Sequence, residues 1–219
     1  MSTFAEGAGL RVIAIDGPAG AGKSTVARAL AARLGLEYLD TGAMYRAVTF
    51  AAMRDGITDD DAAVARLAHE AAIDVGEHGV VVDGVDATSA VRTPEVTAAV
   101  SRVAANSDVR AELVRRQREW AHQRGGGVLE GRDIGSVVFP DAQVKLYLTA
   151  SPRVRAERRV AEAGGDVDEI EAAIARRDGI DSNRADSPLL EADGAIVVDT
   201  TGLSIEAVLD HIQELIRTA

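Results

Sequence analysis

No cysteine occurs in the 219 residues, which excludes disulfides and thiolate metal sites and suits a reducing compartment. Nor does any apolar run approach the roughly 20 residues needed to span a bilayer. The first ten residues carry neither a basic start nor a long apolar stretch, so no membrane partner is expected and a cytoplasmic location is. Basic charge is in deficit: 24 Lys and Arg stand against 35 Asp and Glu, a net charge of −11. That balance argues against a general nucleic-acid binder, whose footprint would be a basic surface. Any polyanion must be met by local arginine clusters. The four histidines, His69, His78, His122 and His211, show no metal-ligand spacing. Lysine is nearly missing, with only Lys23 and Lys145 among the 24 basic residues.

What is present is an ordinary globular composition, 47% hydrophobic and 27% charged. The length suits one α/β domain with insertions and is too short for two full nucleotide-binding domains. Near its start, Gly17, Pro18, Ala19, Gly20, Ala21, Gly22, Lys23, Ser24 and Thr25 satisfy the pattern G-x-x-x-x-G-K-[ST], directly after the apolar run Val12 to Asp16. Glycines allow successive N–H groups to curl around a phosphate, the lysine reaches the β- and γ-phosphates, and the Ser24 hydroxyl is placed to ligate Mg²⁺. A strand before the loop and an amphipathic helix after it (Val26, Leu30 and Leu34, with Ala27 and Ala31) separate this match from a chance glycine-rich turn. A chain that otherwise writes arginine has written lysine here, where a compact charge suits a phosphate cradle.

Strand and helix patterns alternate along the chain, the signature of a parallel sheet covered on both faces. The expected strands are Val12 to Asp16, Leu36 to Leu39, Val128 to Glu130, Val144 to Leu148 and Ala195 to Val198. Thr93, Ser107, Ser151 and Ser204 read as helix caps, two of them followed by proline. The acidic run Asp59 to Asp61 reads as the start of a solvated helix. Between Ile73 and Thr88, short apolar runs joined by tight turns predict a small β insertion.

The loop alone does not separate kinase, GTPase, motor or passive binder. No N-K-x-D base-reading motif follows the strands, and the strand Val144 to Leu148 runs on into Thr149 and Ala150 rather than paired carboxylates, which disfavours a GTP switch and an ATP-driven motor. Arginines are concentrated instead. Arg155, Arg158 and Arg159 fall at i, i+3 and i+4, a spacing that puts them on one helical face. A Gly164-Gly165 break and a second helix ending near Arg176-Arg177 suggest a lid that closes over phosphates; a solvated basic face paired with Glu157, Glu162 and Glu169 is the alternative. Arg46 and Arg132 follow the second and third strands, at the carboxyl ends where open parallel sheets bind ligands. Arginine forks onto phosphates, so the pattern suggests phosphoryl transfer to an acceptor that itself carries a phosphate.

Asp16 to Thr25, Asp40 to Arg46, Gly131-Arg132-Asp133-Ile134-Gly135, Val138 to Ala142 and Arg177-Asp178 followed by Asp181-Ser182-Asn183-Arg184 together resemble the bacterial cytidylate kinases, from about Val12 to the end. The resemblance implies Mg²⁺-dependent transfer of the ATP γ-phosphoryl group to CMP or dCMP. It also implies a P-loop NTPase fold whose five parallel core strands run in the order 2-3-1-4-5. The core would comprise 10–70, 125–150 and 190–219, the acceptor-binding region 71–124 and a lid 151–185 within a single domain, expected as a monomer. Carried over by position, Arg46 and Arg132 would hold the acceptor phosphate, Asp133 with Ser101 and Arg110 would read cytosine, and Thr41 would keep the hydroxyl of a serine found in some members. Asp181 would take the ribose hydroxyls, with Arg177 and Arg184 bridging phosphates and sugar. Lys23, Arg132, Arg155 and Arg159 are the expected transition-state stabilisers. Ile180 stands where relatives often carry a further arginine. UMP, shikimate or another small acceptor, or nucleotide binding without turnover, are the competing readings.

Overall fold

The computed structural model describes residues 10–76, 78–184 and 186–218. The two ends of the expected single domain, together with residue 185 at the far edge of the expected lid, lie outside the described residues. Five parallel strands form the central sheet: β1 (Arg11–Asp16), β2 (Tyr38–Asp40), β6 (Gly126–Glu130), β7 (Val144–Thr149) and β8 (Ile196–Asp199). Their spatial order is β2-β6-β1-β7-β8, which is 2-3-1-4-5 when the core strands are counted alone, as expected. Side chains of β1 alternate between two cores. Val12 and Ala14 pack with Leu39, Leu129 and the helices α2 (Thr41–Arg54), α3 (Asp61–Glu70), α4 (Pro94–Val103) and α5 (Ser107–Arg124). Ile13 and Ile15 pack with Val128, Leu146, Leu148, α1 (Lys23–Leu34) and α8 (Ile205–Thr218) on the other face. Each such buried Val, Leu or Ile side chain contributes about 1.5–3 kcal/mol.

The β insertion is a three-stranded antiparallel sheet of β3 (Ile73–Gly76), β4 (Gly79–Val82) and β5 (Val85–Asp86). It buries Val80 and Val82 against Ala43, Ala47 and Ala51 of α2. The expected lid is a pair of packed helices, α6 (Pro152–Ala163) and α7 (Val167–Ser182). Ala156 and Ile174 share a small core with Ala19 of the phosphate loop, and Gly164, at φ 75°, makes the break between the helices.

Element ends shift where local capping overrides hydrophobic pattern. The second strand begins at Tyr38 rather than Leu36, because Gly35 caps α1 in a left-handed conformation and the Leu36 N–H still donates to the Ala31 carbonyl at 2.9 Å. The last strand starts at Ile196, since the Ala195 N–H closes a turn onto the Ala192 carbonyl. The cap of α5 is Asn106 and not Ser107: its side-chain oxygen accepts from the N–H groups of Asp108 and Val109 at 3.1 and 3.3 Å. Thr93, Ser151 and Ser204 cap as expected, and Asp60 caps α3.

Candidate active site

Parallel register brings the carboxyl ends of three neighbouring strands to one rim, pairing Glu130 with Asp40 on one side and with Ile15 on the other. Above this rim opens a cleft of about 600 Å³ whose wall includes residues 19–26 of the loop, the start of α2, segment 130–133 and side chains of α4 to α7. Gly17 and Pro18 do not line it. A Cβ on Gly17, at φ 141°, would sit 2.0 Å from the Leu148 carbonyl oxygen, so glycine is required for the loop to leave the sheet. The cap of α1 is Gly22, with no acidic residue in the first turn. The free N–H groups and positive helix end are therefore left for an external anion.

Lys23 donates from Nζ to the Pro18 carbonyl at 2.9 Å. Burial, reinforced by Arg132 and Arg177, lowers its pKa to about 7. Arg177 is lowered to about 10 by burial and then by Arg132, and burial also lowers Arg184. The Nε atoms of Arg46, Arg177 and Arg184 are buried without a hydrogen-bond partner. A chain of net charge −11 has thus gathered mutually repelling cations in one cleft, a cost that an anion would relieve.

The Ser24 hydroxyl donates to the Glu130 carboxylate, which also accepts from the Tyr38 hydroxyl at 2.9 Å. Burial and the neighbouring Asp40 push the Glu130 carboxyl up. Among the described residues no group of three or more His, Cys, Asp or Glu could by itself hold a metal. One hydroxyl beside a buried carboxylate fits Mg²⁺, which takes few protein ligands and completes its shell with phosphates and water.

On the wall opposite the loop, Asp40 caps α2 through the Ala43 N–H and takes Arg46 Nη2 at 2.8 Å. Asp133 and Arg110 form a buried ion pair, with the Arg110 guanidinium 5.4 Å from the Tyr45 ring centroid. Ser101 of α4 is buried at the same wall, and the Thr41 hydroxyl donates to the Glu130 carbonyl at 2.6 Å. Arg132 links the halves: Nη1 donates to the Gly17 carbonyl at 2.9 Å and Nη2 lies 3.1 Å from Asp181. Arg184 and Arg177 approach the same Asp181 carboxylate at 3.8 and 4.0 Å.

One expected site residue is displaced. Arg155 sits in the first turn of α6, beneath the loop, and is only 7% exposed. Its guanidinium is consumed by the Ala150 and Ala19 carbonyls and by Asp178, so it braces the loop and does not face the cleft. Of the three arginines expected on one face, Arg158 and Arg159 line the cleft. Arg158 donates to the hydroxyl and carbonyl of Thr200 at 2.9 and 2.8 Å, and exposed Arg159 pairs with Glu162 at 3.1 Å. Ile180 is 51% exposed and off the wall. Sequence reasoning passed over Glu130, Tyr45, Arg92, Thr200, Leu203 and Ile205, all on the wall. Only Glu130, ending a strand beside the loop, carried a signal that could have been found.

The family model for cytidylate kinase matches residues 13–218. The chain belongs to the cytidylate kinase family. A cytidylate kinase of Geobacter sulfurreducens is 50% identical over 216 residues, covering 94% of this chain and 92% of that protein. A bifunctional pantoate ligase/cytidylate kinase of Synechococcus is 51% identical over 218 residues, and there the chain spans 44% of the relative's length. Among solved structures, an uncharacterized protein of Eubacterium ventriosum aligns with a TM-score of 0.57 at 12% identity, covering 95% of this chain and 99% of that one; this likeness concerns the fold. Membership of the family carries ATP as the phosphoryl donor. Among the described residues no helix is long and apolar enough to cross a membrane.

Proposed function

We propose that the chain transfers the γ-phosphoryl group of ATP to CMP or dCMP, releasing ADP and the diphosphate. The observation that carries this reading is the crowding of Lys23 and Arg177, each lowered by burial and by the neighbouring Arg132, in a cleft bounded on one side by the phosphate loop and on the other by the buried Asp133–Arg110 ion pair. The loop amides and Lys23 hold the donor phosphates. Arg46 and Arg132 hold the acceptor phosphate at the opposite strand ends, and Asp181 with Arg177 and Arg184 addresses its sugar and phosphate. Ser24, with the donor phosphates, would hold Mg²⁺, which when bound would supply charge neutralisation at the transferring group. The acceptor phosphate is already a nucleophile, so the protein's work is alignment, water exclusion and charge stabilisation. Arg159, whose ion pair with Glu162 is exposed, swings onto the transferring group when the lid 151–185 closes over the core and the acceptor region 71–124. Arg158, Leu203 and Ile205 form the part of the wall suited to the donor base.

Cytosine presents an N4 amine donor and N3 and O2 acceptors, which a carboxylate, a hydroxyl and a guanidinium can satisfy together; uracil reverses part of that pattern and leaves buried groups unpaired. A binding module without turnover would have no use for the acceptor arginines. ADP release measured across CMP, dCMP, UMP and shikimate tests the assignment: CMP is expected to lead, and UMP outperforming CMP sinks it. Asp133→Ala is expected to lower kcat/KM for CMP by about 10²-fold while ATP affinity stays within about twofold; equal loss on both substrates argues against base reading.

A further inference from the structure

After β6 the chain makes a single π-helical turn, Ile134–Val138, an uncommon element that concentrates at functional sites. The two residues before it, Arg132 and Asp133, face the cleft, one toward phosphate and the other toward the base-reading pair. The turn's own bonds run back to this dipeptide, with the Val137 and Val138 N–H groups donating to the Asp133 carbonyl at 2.9 and 3.2 Å. Both ends of the turn are gripped from outside the cleft. At the amino end Asp16, the last residue of β1 and 3% exposed, accepts the Ile134 N–H on Oδ1 at 2.8 Å and the Gly135 N–H on Oδ2 at 2.7 Å. At the carboxyl end Arg118 of α5 donates from Nε to the Val138 carbonyl at 2.9 Å and from Nη2 to the Val137 carbonyl at 2.8 Å. Neither side chain lines the cleft.

We propose that Asp16 and Arg118 are positioning residues for the acceptor nucleotide, a two-ended clamp that fixes the Arg132-Asp133 backbone and through it phosphate alignment and base choice. The inference rests on the CMP assignment above. Two forked side chains, of opposite charge, each satisfy a pair of adjacent peptide groups whose helical partners are missing at the turn's ends. A shift of about 1 Å in a reacting or recognising group costs as much as about 10²-fold in rate, and an unclamped π turn has neighbouring helical hydrogen-bond registers into which it can relax. Because Asp16 adjoins Gly17, the clamp also ties the acceptor dipeptide to the strand that launches the donor loop.

Arg118 is exposed and its removal leaves the core intact, so Arg118→Ala is the decisive variant, with Asp16→Asn beside it. Wild-type turnover with CMP is measured first, and its absence refutes the CMP assignment rather than the clamp. Given that turnover, Arg118→Ala should raise KM for CMP and lower kcat/KM for CMP about tenfold or more, with KM for ATP within about twofold, and should lower the CMP-to-UMP preference. Arg118→Lys, which can restore one of the two bonds, should recover part of that loss. If Arg118→Ala leaves the preference and the KM for CMP unchanged, or lowers Tm and both substrates' parameters equally, the residue is merely a cap and the proposal falls. Asp16→Asn, if folded by circular dichroism, should shift the CMP-to-UMP preference in the same direction; an unshifted preference overturns its part of the clamp.

Discussion

The two halves of the cleft are made in different ways. The half proposed for the donor phosphates is one contiguous stretch that offers chiefly backbone N–H groups, with Lys23 its only charged side chain and helix α1 behind it. The acceptor half is assembled from side chains of α2, α4, α5, α7 and the segment after β6, many already engaged with one another, as Asp40 is with Arg46, Asp133 with Arg110 and Asp181 with Arg132. A backbone cradle tolerates little change of conformation but asks little of residue identity beyond glycine and one cation. A wall of mutually paired charges is the reverse, since each loss leaves a partner unsatisfied.

The sharpest way to break this comparison is on the donor side. Lys23→Ala should cut kcat by about 10³-fold with the fold retained by circular dichroism; near-normal turnover would remove the loop's one charged side chain from the chemistry. Next in size is a titration at the joint between the halves. Burial raises Asp16 to about 6 from 3.8, against the lowering effect of the Gly135 and Ile134 N–H groups. A native pKa above the unfolded one means that the native state binds the extra proton, so stability from this group is full below about pH 4 and is lost as pH rises through 6. Wild type should therefore gain on Asp16→Asn by about 3 kcal/mol as pH falls from 8 to 4, read from urea midpoints at each pH. A flat difference would show that the carboxylate is not desolvated. The smallest effect belongs to the lid: Arg159→Ala should lower kcat about tenfold while leaving both KM values within about twofold, separating an arginine that acts late from those that pre-form the acceptor wall.

What the sequence revealed follows the same division. The loop was legible because its motif is written in consecutive residues, and the sheet because runs such as Val12 to Ile15 are apolar throughout, as burial on two faces requires. Arg46 and Arg132 were legible from their place after strand ends, but the other side chains proposed for the acceptor came through likeness to a family, since nothing in local pattern says which distant residues will meet, as Asp16 meets Gly135, 119 positions away. Arg155 was misplaced for a related reason. Helical spacing puts it on a face with Arg158 and Arg159, but which part of that face is covered depends on the loop packed beneath it and on Asp178, which bonds the Ala19 N–H from 159 positions along the chain. The π turn was invisible because its register is held by Asp16 and Arg118 from other elements rather than by its own residues.

The scarcity of lysine has a practical meaning for covalent chemistry. An acylating reagent meets two ε-amines in the whole chain. Lys145 donates from Nζ to the Asp193 carbonyl at 3.0 Å, whereas Lys23, its pKa lowered by burial to about 7, is a substantially neutral nucleophile at mildly alkaline pH. Modification of Lys23 by such a reagent is accordingly a footprint of the phosphate loop itself, and a bound nucleotide that restores the ammonium would erase it.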